Sequence, residues 1–145
     1  MTQALTQIMT GHHQHCDDLF AEVETQVHHG AWPAAESAYQ RLAEGIEWHF
    51  QAEENRLFPA LEAVTGHSSG PTEVMREEHT QLRELMEACR EALADHDASS
   101  YADRAETLLI LLQQHNAKEE NILYPMCERV LGPRGEDFAT DFAAE

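Results

Sequence analysis

The chain has 145 residues, and its 27 acidic residues against 9 basic ones give a net charge of −18. This length predicts one domain over residues 1–145, with a core at about 5–132 and an acidic tail at 133–145. The charge argues against nucleic acid and anionic membranes as partners, because few basic side chains are available to contact phosphates.

The cysteines and the N-terminal residues indicate a cellular compartment. Cys16, Cys89 and Cys127 are widely spaced and form no Cys-x-x-Cys pair, which argues against a disulfide framework and favours buried thiols in a reducing compartment. The N-terminal residues lack the basic and apolar regions of a signal peptide, and no apolar run is long enough to span a membrane. We therefore expect a cytoplasmic location.

Turn-forming residues divide the chain into four helical stretches. The dividing segments are residues 30–33, 66–71, 95–100 and 132–135. Apolar residues recur at helical spacing, and no segment shows the sustained alternation typical of strands. The sequence therefore predicts an all-α, up-down-up-down four-helix bundle. The acidic residues after 135 form a tail or a short extra helix.

A repeat with an offset of 66 residues relates the two halves of the chain. His49 and Glu53 return as His115 and Glu119, and His13 returns as His79. Each His-x3-Glu is followed by a second Glu and then by Leu-Phe-Pro or Leu-Tyr-Pro. A unit of this length suits two duplicated helical hairpins folded face to face.

The repeat places one histidine on the apolar face of each helix. A single such histidine is usually a core residue, but four related by a repeat, two of them with Glu at i+4, indicate a metal site. Residues four apart share a helix face, so each His-Glu pair presents nitrogen and oxygen donors to one point. Six donors without thiolate suit two octahedral ions of iron or manganese better than one tetrahedral zinc. No histidine follows a Glu at the i−3 spacing of the ferritin-like design.

At these residues the chain resembles the hemerythrin-like, or HHE cation-binding, family of non-haem di-iron four-helix bundles. The resemblance covers roughly residues 5 to 132. It implies two iron ions bridged by carboxylates and an oxo or hydroxo group, with manganese or zinc as second choices, and with Glu53 and Glu119 as the bridging carboxylates. The implied metal ligands are His13, His49, Glu53, His79, His115 and Glu119.

The chain departs from oxygen-carrying hemerythrins at two positions. Those proteins have a second His one turn after the third-helix His and an Asp five residues after the last His, where this chain has Arg83 and Glu120. Fewer ligands on one iron favour redox turnover or iron sensing over reversible oxygen carriage. The pattern is more similar to the di-iron domain of iron–sulfur cluster repair proteins and to mycobacterial hemerythrin-like proteins.

Several residues near the predicted site have more than one interpretation. His12, His13 and His15 compete as the first-helix ligand, and the repeat favours His13. Glu54 and Glu120 are expected to form salt bridges or caps at helix interfaces, with substitute ligation as the alternative.

We make four further predictions about the surroundings of the site. Asp17 and Arg83 are predicted to pair across the bundle. Pro59 and Pro125 should kink or break their helices. The residues before these prolines are predicted to pack as the lower plug of the bundle, below the ligands; they are Leu57, Phe58, Leu123 and Tyr124. The remaining histidines are expected at the surface; they are His28, His29, His67 and His96.

The expected function is binding or reduction of dioxygen, peroxide or nitric oxide at a buried di-iron site, in oxidative or nitrosative stress or in iron handling. The alternative is a non-catalytic sensor or store for iron or oxygen, or an oxygen carrier. Expected partners are a small diatomic or peroxide ligand and an electron donor or iron–sulfur client protein. We expect a monomer or homodimer.

Overall fold

The computed structural model describes residues 4–66 and 70–144, and it contains no strand within these ranges. The seven α-helices are α1 (Leu5–His28), α2 (Trp32–Ala52), α3 (Phe58–Thr65), α4 (Pro71–Ala94), α5 (Ala98–Lys118), α6 (Tyr124–Leu131) and α7 (Pro133–Ala143). Two π-helical segments, π1 (Glu53–Leu57) and π2 (Glu119–Leu123), join α2 to α3 and α5 to α6. The second and fourth helices of the bundle are therefore the composite arms α2–π1–α3 and α5–π2–α6.

The helix boundaries follow local chemistry. Pro33 occupies the first turn of α2 and Pro71 opens α4, positions where a missing N–H costs no helical hydrogen bond. Asp97 caps α5 by accepting a hydrogen bond from the Ser100 N–H at 3.0 Å. Gly66 ends α3 with φ of 75°, a left-handed conformation that favours glycine.

Each predicted proline break is a single π-helical turn. The Phe58 N–H donates to the Glu53 carbonyl, and the Tyr124 N–H donates to the Glu119 carbonyl, both five residues back. Pro59 and Pro125 then lie in the first turn of α3 and α6. A proline inside a regular α-helix clashes with the carbonyl four residues earlier, and the wider turn relieves this conflict.

The bundle packs as two hairpins, with α1 against α2 and α4 against α5, and with further contacts between α2 and α4 and between α1 and α5. The fold prediction is thus confirmed, including the C-terminal helix α7, whose Phe142 is fully buried. Within the described ranges, none of the helices combines the length and the apolar character needed to cross a membrane. His67 lies outside the described residues.

Buried apolar side chains form two clusters with the polar site between them. One cluster includes Phe20, Leu42 and Leu108, and the other includes Met9 and Phe58. Along α1, along α4 and along each of the two composite arms, the buried histidine lies between residues of one cluster and residues of the other. The four histidines therefore meet in a layer that both clusters shield from water.

Candidate metal centre

All six residues predicted to bind metal are buried, and the structure brings them together in two overlapping groups. Group A is Glu53, His79, His115 and Glu119, and group B is His13, His49 and Glu119. In each group, one donor atom from every residue lies within 4.8 Å of the others. Glu119 belongs to both groups, whereas Glu53 belongs to group A alone. Metal binding by these six residues stays a prediction.

The four donors of group A face one another without hydrogen bonding. His79 Nε2 lies 3.1 Å from Glu53 Oε1, and His115 Nε2 lies 3.4 Å from Glu119 Oε2. None of these four atoms has a hydrogen-bond partner among the described residues, although all are buried. Unpaired buried polar atoms are costly, and a cation between them would satisfy all four at once.

The donors of group B are engaged with one another and with Tyr124. His13 Nε2 and His49 Nε2 are 3.0 Å apart, and His49 Nε2 is 2.8 Å from the Tyr124 hydroxyl. Glu119 Oε1 lies 2.9 Å from the same hydroxyl and 3.2 Å from His13 Nε2. An ion at group B would replace these contacts.

The predicted plug is confirmed, since Leu57, Phe58, Leu123 and Tyr124 all pack in the apolar cluster below the histidines. Tyr124 is in addition a member of the site, which the sequence did not predict. Its hydroxyl lies 2.5 Å from Glu53 Oε2, and its one proton can go to this oxygen or to Glu119. Burial, followed by the charges of Glu119 and Glu53, holds the pKa of this phenol well above its usual range. A buried phenol needs a polar partner, and the replacement of Phe by Tyr between the repeats was the available signal.

Three outer carboxylates orient the imidazoles. The Nδ1–H of His79 donates to Glu54 at 2.7 Å, that of His115 to Glu78 at 2.8 Å, and that of His13 to Glu120 at 2.8 Å. In the neutral ring, a proton held at Nδ1 leaves Nε2 as the metal-binding atom, which is the usual arrangement of ligating histidines. Sequence reasoning placed Glu54 and Glu120 at helix interfaces but missed Glu78.

The predicted Asp17–Arg83 pair is wrong. Arg83 binds Glu54 at 2.8 Å and Glu47 at 2.9 Å, while Asp17 Oδ1 has no partner within the described chain. The two residues occupy equivalent positions in the two halves, and Arg83 binds the outer carboxylate Glu54 rather than Asp17. Burial raises the pKa of Asp17, and the nearby charges of Asp18 and Glu120 add to this effect against the opposing influence of His13.

The carboxylates of the cluster favour a protonated imidazole beside them. Burial alone would lower the pKa of His115, but Glu119, Glu53 and Glu78 outweigh it and raise the pKa to about 9. The pKa of Glu119 is held well below its usual range despite burial, because Glu53 and the His115 and His13 imidazoles contact it. The buried carboxylates therefore favour any cation in this layer.

The competing histidines lie outside both groups. His12 is half-buried with its ring 4.7 Å from that of Trp48, and His15 is exposed. Burial, together with the neighbouring histidines His49, His13 and His15, lowers the pKa of His12 to about 4. The helix therefore turns His13 alone toward the site, as the repeat indicated. The other histidines predicted at the surface are exposed where the structure describes them; they are His28, His29 and His96.

A helical bundle with buried histidines and carboxylates converging between its helices defines a metal-binding domain. Residues 4–127 match the model of the hemerythrin HHE cation-binding domain family. The chain belongs to this family. The comparisons with curated proteins and with solved structures give no match.

Proposed function

We propose that this protein holds two iron ions and binds or reduces small oxidants such as dioxygen, peroxide or nitric oxide. The observation that carries the proposal is the set of four buried donor atoms of group A, which converge without hydrogen-bond partners among the residues that the structure describes. The biological setting would be oxidative or nitrosative stress, or iron handling, in the cytoplasm.

The donor chemistry supports iron. Group A would hold one ion and group B the other, with Glu119 between them and Glu53 as the second carboxylate. Imidazole and carboxylate donors suit iron, while the soft thiolate donors that favour copper(I) or structural zinc are absent from both groups. Bound iron would supply the one-electron chemistry that reactions with dioxygen, peroxide and nitric oxide require.

The surrounding residues would control access and protons. Phe50 stacks on the His79 ring with centroids 3.9 Å apart, and it keeps one wall of the layer apolar. The Tyr124 hydroxyl holds a proton between Glu53 and Glu119, within reach of a small ligand. Arg83 points to Glu47 and Glu54, so position 83 adds no imidazole to the site. A less saturated site favours reaction over reversible oxygen carriage.

The charge of the chain bears on its partners. Reduction of an oxidant needs an electron donor, and a net charge of −18 favours one with a basic surface. An iron–sulfur client protein is the other partner that we propose, with the chain acting as a monomer or homodimer.

Anaerobic iron loading followed by metal analysis and optical spectroscopy tests the proposal. We expect close to two irons per chain, and turnover when oxygen, peroxide or nitric oxide is added. Loss of turnover in Glu119→Gln, with full activity in the exposed control His96→Ala, would tie the reaction to the site. Two irons without turnover would favour the alternative of a non-catalytic sensor, store or oxygen carrier. One zinc and no iron in every preparation would refute the proposal.

A further inference from the structure

The two groups of donors differ in how ready they are to receive an ion. Within the described residues, the four group A atoms have no hydrogen bonds to lose. The contacts among the group B donors are His13 to His49 at 3.0 Å, His49 to Tyr124 at 2.8 Å and Tyr124 to Glu119 at 2.9 Å, and the His49 and Tyr124 protons allow at most two hydrogen bonds among them. An ion at group B must displace these bonds, and one net hydrogen bond is worth roughly a two- to ten-fold change in an equilibrium constant.

The imidazoles of group A are also held more firmly. Glu54, which orients His79, is fixed by Arg83 at 2.8 Å, and Glu78, which orients His115, is fixed by Lys118 at 2.6 Å. In both cases the series of contacts runs from the imidazole to a carboxylate and then to a cation. The carboxylate and the imidazole that it orients therefore have one preferred position.

The imidazoles of group B lack this support. Glu120 orients His13, and no ion pair joins Glu120 to a lysine or arginine within residues 4–66 and 70–144. His49 Nδ1 is buried without any partner in the same part of the chain. Group B also lies nearer to solvent, because the side chains of His13 and His49 are 7% and 5% exposed and those of His79 and His115 only 0% and 1%.

The repeat explains this difference. Glu54 and Glu120 are equivalent residues in the two halves. Arg83, one turn after His79, binds Glu54. The residue at the equivalent position in the first half is Asp17, an acidic side chain that offers Glu120 no cation. Phe58 and Tyr124 are likewise equivalent, and only the tyrosine has a hydroxyl that occupies the donors of group B.

We infer that the two positions load in order: the first ion binds tightly to group A, and the second binds more weakly and exchanges at group B. The inference rests on the proposed di-iron function. Group A offers four protein donors in fixed positions. Group B offers three and must first release Tyr124, which makes Tyr124 a positioning residue for the second ion.

Titration of the metal-free protein with Co²⁺, followed by absorption spectroscopy and calorimetry, tests the order. Co²⁺ accepts the same donors, reports its coordination optically and is stable in air. We expect two steps with the first at least about ten-fold tighter, on the hydrogen-bond count above. His13→Ala should keep the tight step and lose the weak one, and His79→Ala should lose the tight step.

The matched variants Glu54→Gln and Glu120→Gln repeat the test while they keep every predicted metal ligand. They change only the carboxylates that orient His79 and His13. Outer carboxylates of this kind typically change metal affinity by about 10- to 100-fold. Glu54→Gln should weaken the first step, and Glu120→Gln should weaken only the second. Circular dichroism of both variants checks that the helices are intact.

Tyr124→Phe, which copies the residue found in the other half, isolates the hydroxyl. It should raise the affinity of the second binding step and so reduce the difference in affinity between the two steps. A lower affinity in the second step would overturn the assigned role of Tyr124. Two equal steps, or loss of the tight step in His13→Ala, would overturn the order while leaving the di-iron proposal intact. Failure to bind a second ion under any condition would refute the di-iron proposal instead.

Discussion

Removing the metal should destabilise the fold, because the donor layer lies inside the bundle and not on its surface. His79 and Glu119 are fully buried, and the four group A donor atoms have no hydrogen-bond partner within the described residues. The ion binds only where the helices are assembled, so its binding free energy adds to the free energy of unfolding.

The size of the effect follows from this linkage. A ligand present at a thousand times its Kd stabilises the folded state by about 4 kcal/mol. For a chain of this size, 1 kcal/mol shifts the melting temperature by about 2–4 °C. We therefore expect metal to raise it by roughly 8–16 °C.

Differential scanning calorimetry of chelated and iron-loaded protein under anaerobic conditions measures this shift. His79→Ala removes a group A donor and should lose most of the shift. His96→Ala, which changes an exposed ring stacked on Trp32 at 4.9 Å, should keep it. Equal melting temperatures for the chelated and loaded wild-type protein would show that the site is not coupled to folding and would refute this reasoning.

Three other predictions test the remaining parts of the structure. The folded pKa of His115 is raised to about 9 from 6.5, so its protonation should contribute fully to the stability of the metal-free protein below pH 6.5. This contribution should fall by about 3 kcal/mol as the pH rises through 9. A free energy of unfolding in urea that does not change between these pH values would contradict the prediction. Phe142→Ala should lower the free energy of unfolding by about 3–5 kcal/mol in urea titrations. The reason is that this buried ring packs against Trp48, with the ring centroids 5.9 Å apart. A loss below about 1 kcal/mol would mean that α7 does not pack against the bundle. Elemental analysis should find group B metal lost in His13→Ala and retained in His12→Ala, and the opposite result would show that the other histidine faces the site.

The fold and the six convergent residues could be predicted from the sequence because both depend on local periodicity. Helical spacing of apolar residues fixes which face of each helix is buried, and His13 and His79 fall on that face four residues after a methionine. The His-x3-Glu spacing fixes which carboxylate shares the face. The repeat then supplies the same information twice, which reduces the ambiguity at each position.

The contacts between helices could not be predicted in the same way. Glu78 lies next to His79 in the sequence, yet it binds His115 and Lys118 of another helix. Arg83 binds Glu47 and Glu54 because α4 packs against the α2–π1 arm, and no spacing within one helix encodes that neighbour. Pairing partners depend on which helix lies opposite, and this emerges only from tertiary packing.

The prolines connect the local sequence to the asymmetry of the site. In a regular α-helix, residues five apart point about 140° away from each other, so Tyr124 would face away from Glu119. The π turn before Pro125 closes a hydrogen bond across five residues and places Tyr124 directly over Glu119, where its hydroxyl reaches the carboxylate at 2.9 Å. The same turn before Pro59 places Phe58 over Glu53, where a phenyl ring has no polar group to offer. The same π turn, used twice with different side chains, thus gives the two donor groups of a duplicated scaffold different surroundings, as the proposed order of metal loading requires.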